Sequence, residues 1–189
     1  PSPVLDGTWK LAPIAGALKV GPNPGDGSWW SSSAGDVETR ACIFDDKYVF
    51  NADGSFDNEM GDQTWLEPWQ GTDPEACGAP VAPHDGSADA TWSHSETDGT
   101  ITLTGAGAYL GLAKAITGGE LSVSGTEVPT SRTYTVHSFD GDHLSLAIST
   151  WGGYWTFEMM RDGVEPETVD ITFNLDMSSA DAVSAEGVS

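Results

Sequence analysis

The chain has 189 residues, 38% of them hydrophobic and 10% aromatic, with eight Trp, 23 Gly and 11 Pro. That length supports one domain with a sizeable core plus an appendage, and the turn-rich, Trp-rich composition favours an all-β fold. Seven Lys and Arg against 29 Asp and Glu give a formal net charge of −22, which repels phosphate and argues against partners such as nucleic acid or an anionic membrane surface.

In chain order, residues 1–6 read as a linker, and Pro1-Ser2-Pro3 resembles a processed start. Gly7-Thr8-Trp9-Lys10-Leu11 predicts a strand with Trp9 and Leu11 on one face. Residues 12–40 are rich in Gly, Pro and Ser and predict a long excursion around Trp29-Trp30, with one helical turn near residues 36–41. Excursions of that length are uncommon and often functional.

The centre of the chain is residues 42–69. Phe44, Asp46, Tyr48 and Phe50 share one parity, Asn51-Ala52-Asp53-Gly54 supplies the turn, and Phe56, Asn58 and Met60 continue beyond it. This predicts a β-hairpin with one buried face. Trp65, Glu67 and Trp69 share a parity of their own, as a strand that serves either core or ligand surface.

Residues 70–90 are again turn-rich. Thr91-Trp92-Ser93-His94-Ser95, a turn at Thr97-Asp98-Gly99-Thr100, and the alternating Ile101 and Leu103 predict a second hairpin. The apolar, Gly-containing stretch 105–119 reads as a loop folded over a barrel end or sheet edge, because Gly is too frequent there for a helix. Three strands in a meander follow, around Tyr134 and Val136, then Leu144, Leu146 and Ile148, then Trp155, Phe157 and Met159.

Residues 163–167 read as a boundary that closes a domain over residues 7–162. Beyond it Val169, Ile171, Phe173, Leu175 and Met177 alternate with polar residues, and an acidic linker runs to residue 189. A strand with one apolar face must pack against something. It folds back, begins a further domain, or adds to the sheet of a neighbouring domain or an identical subunit. Repeated head to tail, that last contact builds a filament.

Cys42 and Cys77 stand outside any metal-ligand spacing. In an oxidising compartment they pair, closing a loop worth about 3–4 kcal/mol in the chain-entropy model; otherwise they are buried thiols. Strong acidity and this pairing together point to an extracellular or cell-surface location, and no apolar run is long enough to predict membrane insertion.

The chemistry of candidate sites favours binding over catalysis. His84, His94, His137 and His143 are scattered, and neither Asp45-Asp46 nor Glu59 with Asp62 forms a glycosidase-like pair, so no catalytic residue is assigned. Asp53, Asp57, Asp140 and Asp142 offer oxygen ligands suited to a structural Ca²⁺, although turn chemistry also accounts for them; the metal ligands stay unassigned and no other cofactor is expected. Aromatic rings pack the apolar faces of sugars while carboxylates and amides bond the hydroxyls. Trp29, Trp30, Trp65, Glu67, Trp69, Trp151 and Tyr154 are the candidate set for that task, with Trp9, Trp92 and Trp155 assigned to the core.

Gly7-Thr8-Trp9-Lys10-Leu11, the Tyr48-Val49-Phe50-Asn51-Ala52-Asp53-Gly54-Ser55-Phe56 hairpin and the closing meander resemble the lipocalin-like (calycin-type) β-barrel domains of secreted bacterial proteins. Residues 7–17, Ser28-Trp29-Trp30-Ser31, residues 40–46, Thr64-Trp65-Leu66-Glu67 and residues 107–114 are similar to a domain recurring in multidomain surface proteins and glycan-degrading systems of marine bacteria. The resemblance covers most of residues 7–161. It implies an antiparallel meander barrel, with a two-sheet β-sandwich as the alternative that the long loops leave open. The company such domains keep implies glycan binding or surface attachment. Taken with the aromatic set, the expectation is a non-catalytic module that binds a neutral polysaccharide such as a β-glucan, with a structural, adhesive surface domain that assembles head to tail through its C-terminal strand as the alternative.

Overall fold

The computed structural model describes residues 4–122 and 127–166. In chain order the strands are β1 (Gly7–Leu11), β2 (Leu18–Gly21), β3 (Trp30–Ser31), β4 (Lys47–Phe50), β5 (Ser55–Glu59), β6 (Thr64–Leu66) and β7 (Ala76–Gly78). They continue as β8 (Ala90–Ser95), β9 (Thr100–Thr104), β10 (Ala115–Ile116), β11 (Gly119–Glu120), β12 (Ser131–Phe139), β13 (His143–Ser149) and β14 (Tyr154–Arg161). Two short helices, α1 (Ala34–Thr39) and α2 (Ala41–Phe44), lie between β3 and β4.

Eight strands, in the order β1-β4-β5-β8-β9-β12-β13-β14, form one antiparallel sheet that closes when β14 pairs with β1. The fold is therefore a barrel and not two stacked sheets. Closure depends on how β14 divides its edge. Met159, Met160 and Arg161 pair with β1, whereas Tyr154 through Phe157 pair with β2. Between them the chain leaves the sheet, and Glu158 clamps both ends of the departure: its carbonyl accepts from Ala12 N and its amide donates to the Ala17 carbonyl. β1 and β2 are two halves of one interrupted strand.

The interior follows the period of two. Trp9, Leu11, Tyr48, Phe50, Phe56, Ile101, Leu103, Tyr134, Leu144, Leu146, Phe157 and Met159 are buried and alternate with outward residues. The outer face of β13 and β14 is covered as well. The loop after β2 folds back over it, with Gly25 N donating to Thr156 Oγ1 at 2.8 Å, so Ser145, Ala147 and Thr156 are buried.

The two ends of the barrel differ. Tight turns at residues 51–54, 96–99 and 140–142 close one end, and every long connection lies at the other. There the stretch around Tyr109 does more than fold over the rim: it plugs the mouth. Asn58 exchanges hydrogen bonds with the Tyr109 backbone (2.9 and 3.2 Å), Leu110 N donates to the Tyr134 hydroxyl (3.0 Å), and the Tyr48 hydroxyl donates to the Gly111 carbonyl (3.3 Å). Inward polar side chains thus satisfy the backbone of an inserted segment that has no ladder of its own. Gly111 is obligatory, since φ is 71° and a Cβ would lie 2.4 Å from the Phe157 ring.

Several local expectations change. Residues 12–40 hold β2 and β3 as well as α1, which starts at Ala34 behind a Ser33–Asp36 capping box. Cys42, Ile43 and Phe44 are helical rather than an extension of β4, since all three bury against the core from a single turn. The strand through Trp65 ends at Leu66, and Pro68–Gln70 is a 3₁₀ turn, so Trp65, Glu67 and Trp69 do not share a strand face. Cys42 and Cys77 form a disulfide joining α2 to β7. The expected strand of Val169, Ile171, Phe173, Leu175 and Met177 lies outside the described residues.

Candidate functional site

Across β14, β2 and β3 the register aligns Trp155, Val20 and Trp30 in one row. Residues in register on neighbouring strands share a face and sit about 4.8 Å apart. The two indoles meet edge to face over Val20, with ring centroids 6.0 Å apart. This row is the floor of a cleft of about 270 Å³ at the loop-rich end.

Charged groups wall the cleft from the cap. Arg40 ends α1, and its guanidinium lies between two indoles, 5.3 Å from the Trp30 centroid and 4.6 Å from that of Trp65. Its Nη2 donates to Glu75 Oε1 at 3.1 Å. Planar stacking together with a carboxylate partner fixes a guanidinium in a way that an ammonium does not reproduce. On the other side Lys114 Nζ lies 5.0 Å from the Trp155 centroid and bonds Glu67 Oε1 at 2.9 Å. Glu67 Oε2 accepts from Trp69 Nε1 (3.0 Å), and Trp155 Nε1 donates to Glu120 Oε1 (2.6 Å). The cleft therefore joins an apolar floor to two cations and two carboxylates, each held in an ion pair.

A buried polar layer supports these walls. Arg132, almost wholly buried, donates from Nη1 to the carbonyls of Ala113 and Ala115 (2.8 and 2.9 Å), the residues either side of Lys114. Its Nη2 lies 3.0 Å from His84 Nε2, whose ring meets Trp69 edge to face at 5.4 Å. Burial, and then the Arg132 charge, push His84 down to about 4, so the ring is neutral and Nε2 accepts. Asp46 lies near the same layer, fully buried, with Oδ2 accepting from Thr64 Oγ1 at 2.6 Å and Oδ1 without a partner among the described residues. Burial pushes its carboxyl up to about 8, so it holds its proton at neutral pH.

The structure sorts the expected ligand residues into groups. Trp30 and Glu67 line the cleft. Trp65 and Trp69 stand directly behind them, the first buried under Arg40 and the second bonded to Glu67. Trp151 is 63% exposed in the β13–β14 turn, over Gly119. Trp29 is 55% exposed but has the opposite parity to Trp30, and its ring lies against Gly153. Tyr154 shares that outer parity, paired with Gly21. The set is therefore not one surface, and Trp29 and Tyr154 stand apart from the cleft. Trp9 and Trp155 are buried, as their parity predicts, while Trp92 is half-buried with Nε1 donating to the Asn51 carbonyl.

Sequence reading missed Arg40, Glu75, Lys114 and Glu120. The one available signal was the scarcity of cations: with seven in the chain, each needs an explanation. Among the described residues no three His, Cys, Asp or Glu side chains converge as a metal-ligand set. The turn aspartates instead accept local hydrogen bonds: Asp53 from Ser55, Asp57 from Asn51, and Asp140 from the Asp142 and His143 amides. A larger cleft of about 800 Å³ flanks the disulfide, with Glu38, Asp45 and Asp62 on its walls and no aromatic ring. Among the described residues no helix is long and apolar enough to cross a membrane. No family model matches the chain, and no curated protein matches it.

Proposed function

We propose that this protein is a non-catalytic, extracellular or cell-surface module that binds a neutral polysaccharide of the β-glucan kind through the Trp30–Trp155 cleft. The observation that carries this reading is the cleft itself, an indole-edged apolar floor beneath charged groups already oriented by partners. Sugars present apolar C–H groups and a fringe of hydroxyls; the uncovered indole edges of the floor suit the first and the charged rim suits the second. Pairing Arg40 with Glu75 and Lys114 with Glu67 leaves the cleft near electrical balance, which suits an uncharged ligand. The surrounding charge of −22 opposes an anionic one. The volume of about 270 Å³ lies just under the roughly 300–1,000 Å³ of pockets that enclose drug-sized ligands, and suits a single sugar unit.

The barrel is of the lipocalin-like, calycin type in this reading, as recurs in multidomain surface proteins of marine bacteria, with ligand binding moved from a plugged lumen to the rim. The disulfide is compatible with an oxidising compartment. Assembly through residues 169–177 is the weaker reading. Barrel closure pairs most of the sheet edge and leaves little of it for an added strand.

Affinity electrophoresis on neutral and anionic polysaccharides, with and without EDTA, tests the proposal. A neutral glucan should retard the protein, and Trp30→Ala should abolish the retardation while leaving the far-ultraviolet circular dichroism unchanged. Loss of retardation in EDTA would add a Ca²⁺ to the site. Migration unaffected by every polysaccharide would refute the binding reading.

A further inference from the structure

We infer that the site takes an internal stretch of an extended, uncharged polysaccharide chain, with Trp151 and Glu120 forming a second subsite beside the cleft. This inference rests on the glycan-binding reading and adds to it the form of the ligand.

The starting point is Trp151. Its indole is 63% exposed at the tip of the β13–β14 turn. It is also placed. The indole covers Gly119, where a Cβ would come 2.8 Å from Nε1, so any other residue at 119 would lift the ring. The next residue, Glu120, reaches the cleft by accepting from Trp155 Nε1 at 2.6 Å. Trp151 is thereby tied to the cleft wall through two consecutive residues of β11. Glu120 Oε1 also lies 3.4 Å from Thr150 Oγ1, and among the described residues Oε2 makes no hydrogen bond. An open indole face beside a carboxylate oxygen with acceptor capacity repeats, outside the cleft, the pairing of apolar face and polar fringe found inside it.

The cleft alone is small and its tryptophans are largely covered, Trp155 by Lys114 and Trp30 by Arg40. It grips the edge of a sugar more than its face. Trp151 supplies the uncovered face that the cleft lacks. A chain that satisfies both must continue past the cleft, so a single sugar or a chain terminus engages only part of the site. Among the described residues no cation stacks on Trp151, and all seven Lys and Arg pair with other groups. Both subsites therefore favour uncharged units.

Isothermal titration of the whole chain with cello- and laminari-oligosaccharides, from the disaccharide to the hexasaccharide, tests the inference. Affinity should rise about tenfold along one series, as an added aromatic stacking contact predicts. Trp151→Ala should remove that gain while leaving disaccharide affinity and the melting temperature unchanged. Trp30→Ala should weaken every length. Equal affinity at all lengths, or a Trp151→Ala loss that is the same at every length, would overturn the extended-chain inference and leave the cleft reading intact. Failure of every oligosaccharide and of the parent glucans to bind would overturn both.

Discussion

Asp46 and His84 are buried titratable groups, and each makes stability depend on pH. Asp46 holds its proton in the fold up to about 8, against an ordinary value of 3.8. As pH rises past that ordinary value the unfolded chain releases the proton and the folded chain keeps it, so stability falls until pH reaches about 8. His84 acts the other way. It stays neutral in the fold down to about 4 while the unfolded chain protonates near 6.5, so stability is full above that value and falls as pH drops towards 4. Between the two His84 values the slopes oppose each other. Above 6.5 the Asp46 slope stands alone. Urea unfolding from pH 6.5 to 8 should therefore show declining stability, and Asp46→Asn should flatten the decline. An unchanged slope in that variant would show that Asp46 is ionised in the fold. Neither group was legible as special in the sequence. Asp46 sits at the correct parity for the hairpin interior beside Phe44 and Tyr48, and His84 lies in a Pro-rich stretch with no periodicity.

Among the elements, the strands were readable where the period of two was long enough to speak. The second hairpin and the three-strand meander appear where the alternation places them. β2 and β3 were not readable: four and two residues inside a Gly-rich excursion carry no pattern, and only the free upper edge of β14 creates them. The same applies to the cleft. Trp30 and Glu67 could be named as sugar-binding types, but Arg40 and Lys114 reach them from separate loops, and only tertiary closure makes them neighbours. The disulfide governs half of that closure. Cys42 lies two residues after Arg40, and Cys77 two residues after Glu75, so the bond pins both partners of one cleft wall. Replacing both cysteines with Ser should lower the free energy of unfolding by about 3–4 kcal/mol. It should weaken glucan retardation even under conditions where the barrel stays folded. Full retardation in that variant would mean that Arg40 stacking alone holds the wall.

For the whole molecule, 29 acidic residues face seven cations, and the surface repels itself. Asp162 draws on Lys10 and Lys47, and Glu158 on Lys19, which leaves most carboxylates unneutralised. Salt screens such repulsion over about 10 Å at 0.1 M. The melting temperature should therefore rise with sodium chloride, while affinity for a neutral glucan should stay level. Affinity that collapses with salt would identify the ligand as charged.

The polarity of the barrel has one more consequence. β1 begins and β14 ends at the tight-turn end, side by side, with Trp9 opposite Arg161 and the Arg161 guanidinium bonded to the carbonyls of Val4 and Asp6. The cleft opens at the far end. The first and last strands of the barrel therefore meet at the pole opposite the cleft. In the proposed function, the seam where Trp9 meets Arg161 and the cleft thus lie at opposite poles, and the seam is out of reach of a polysaccharide held at the cleft.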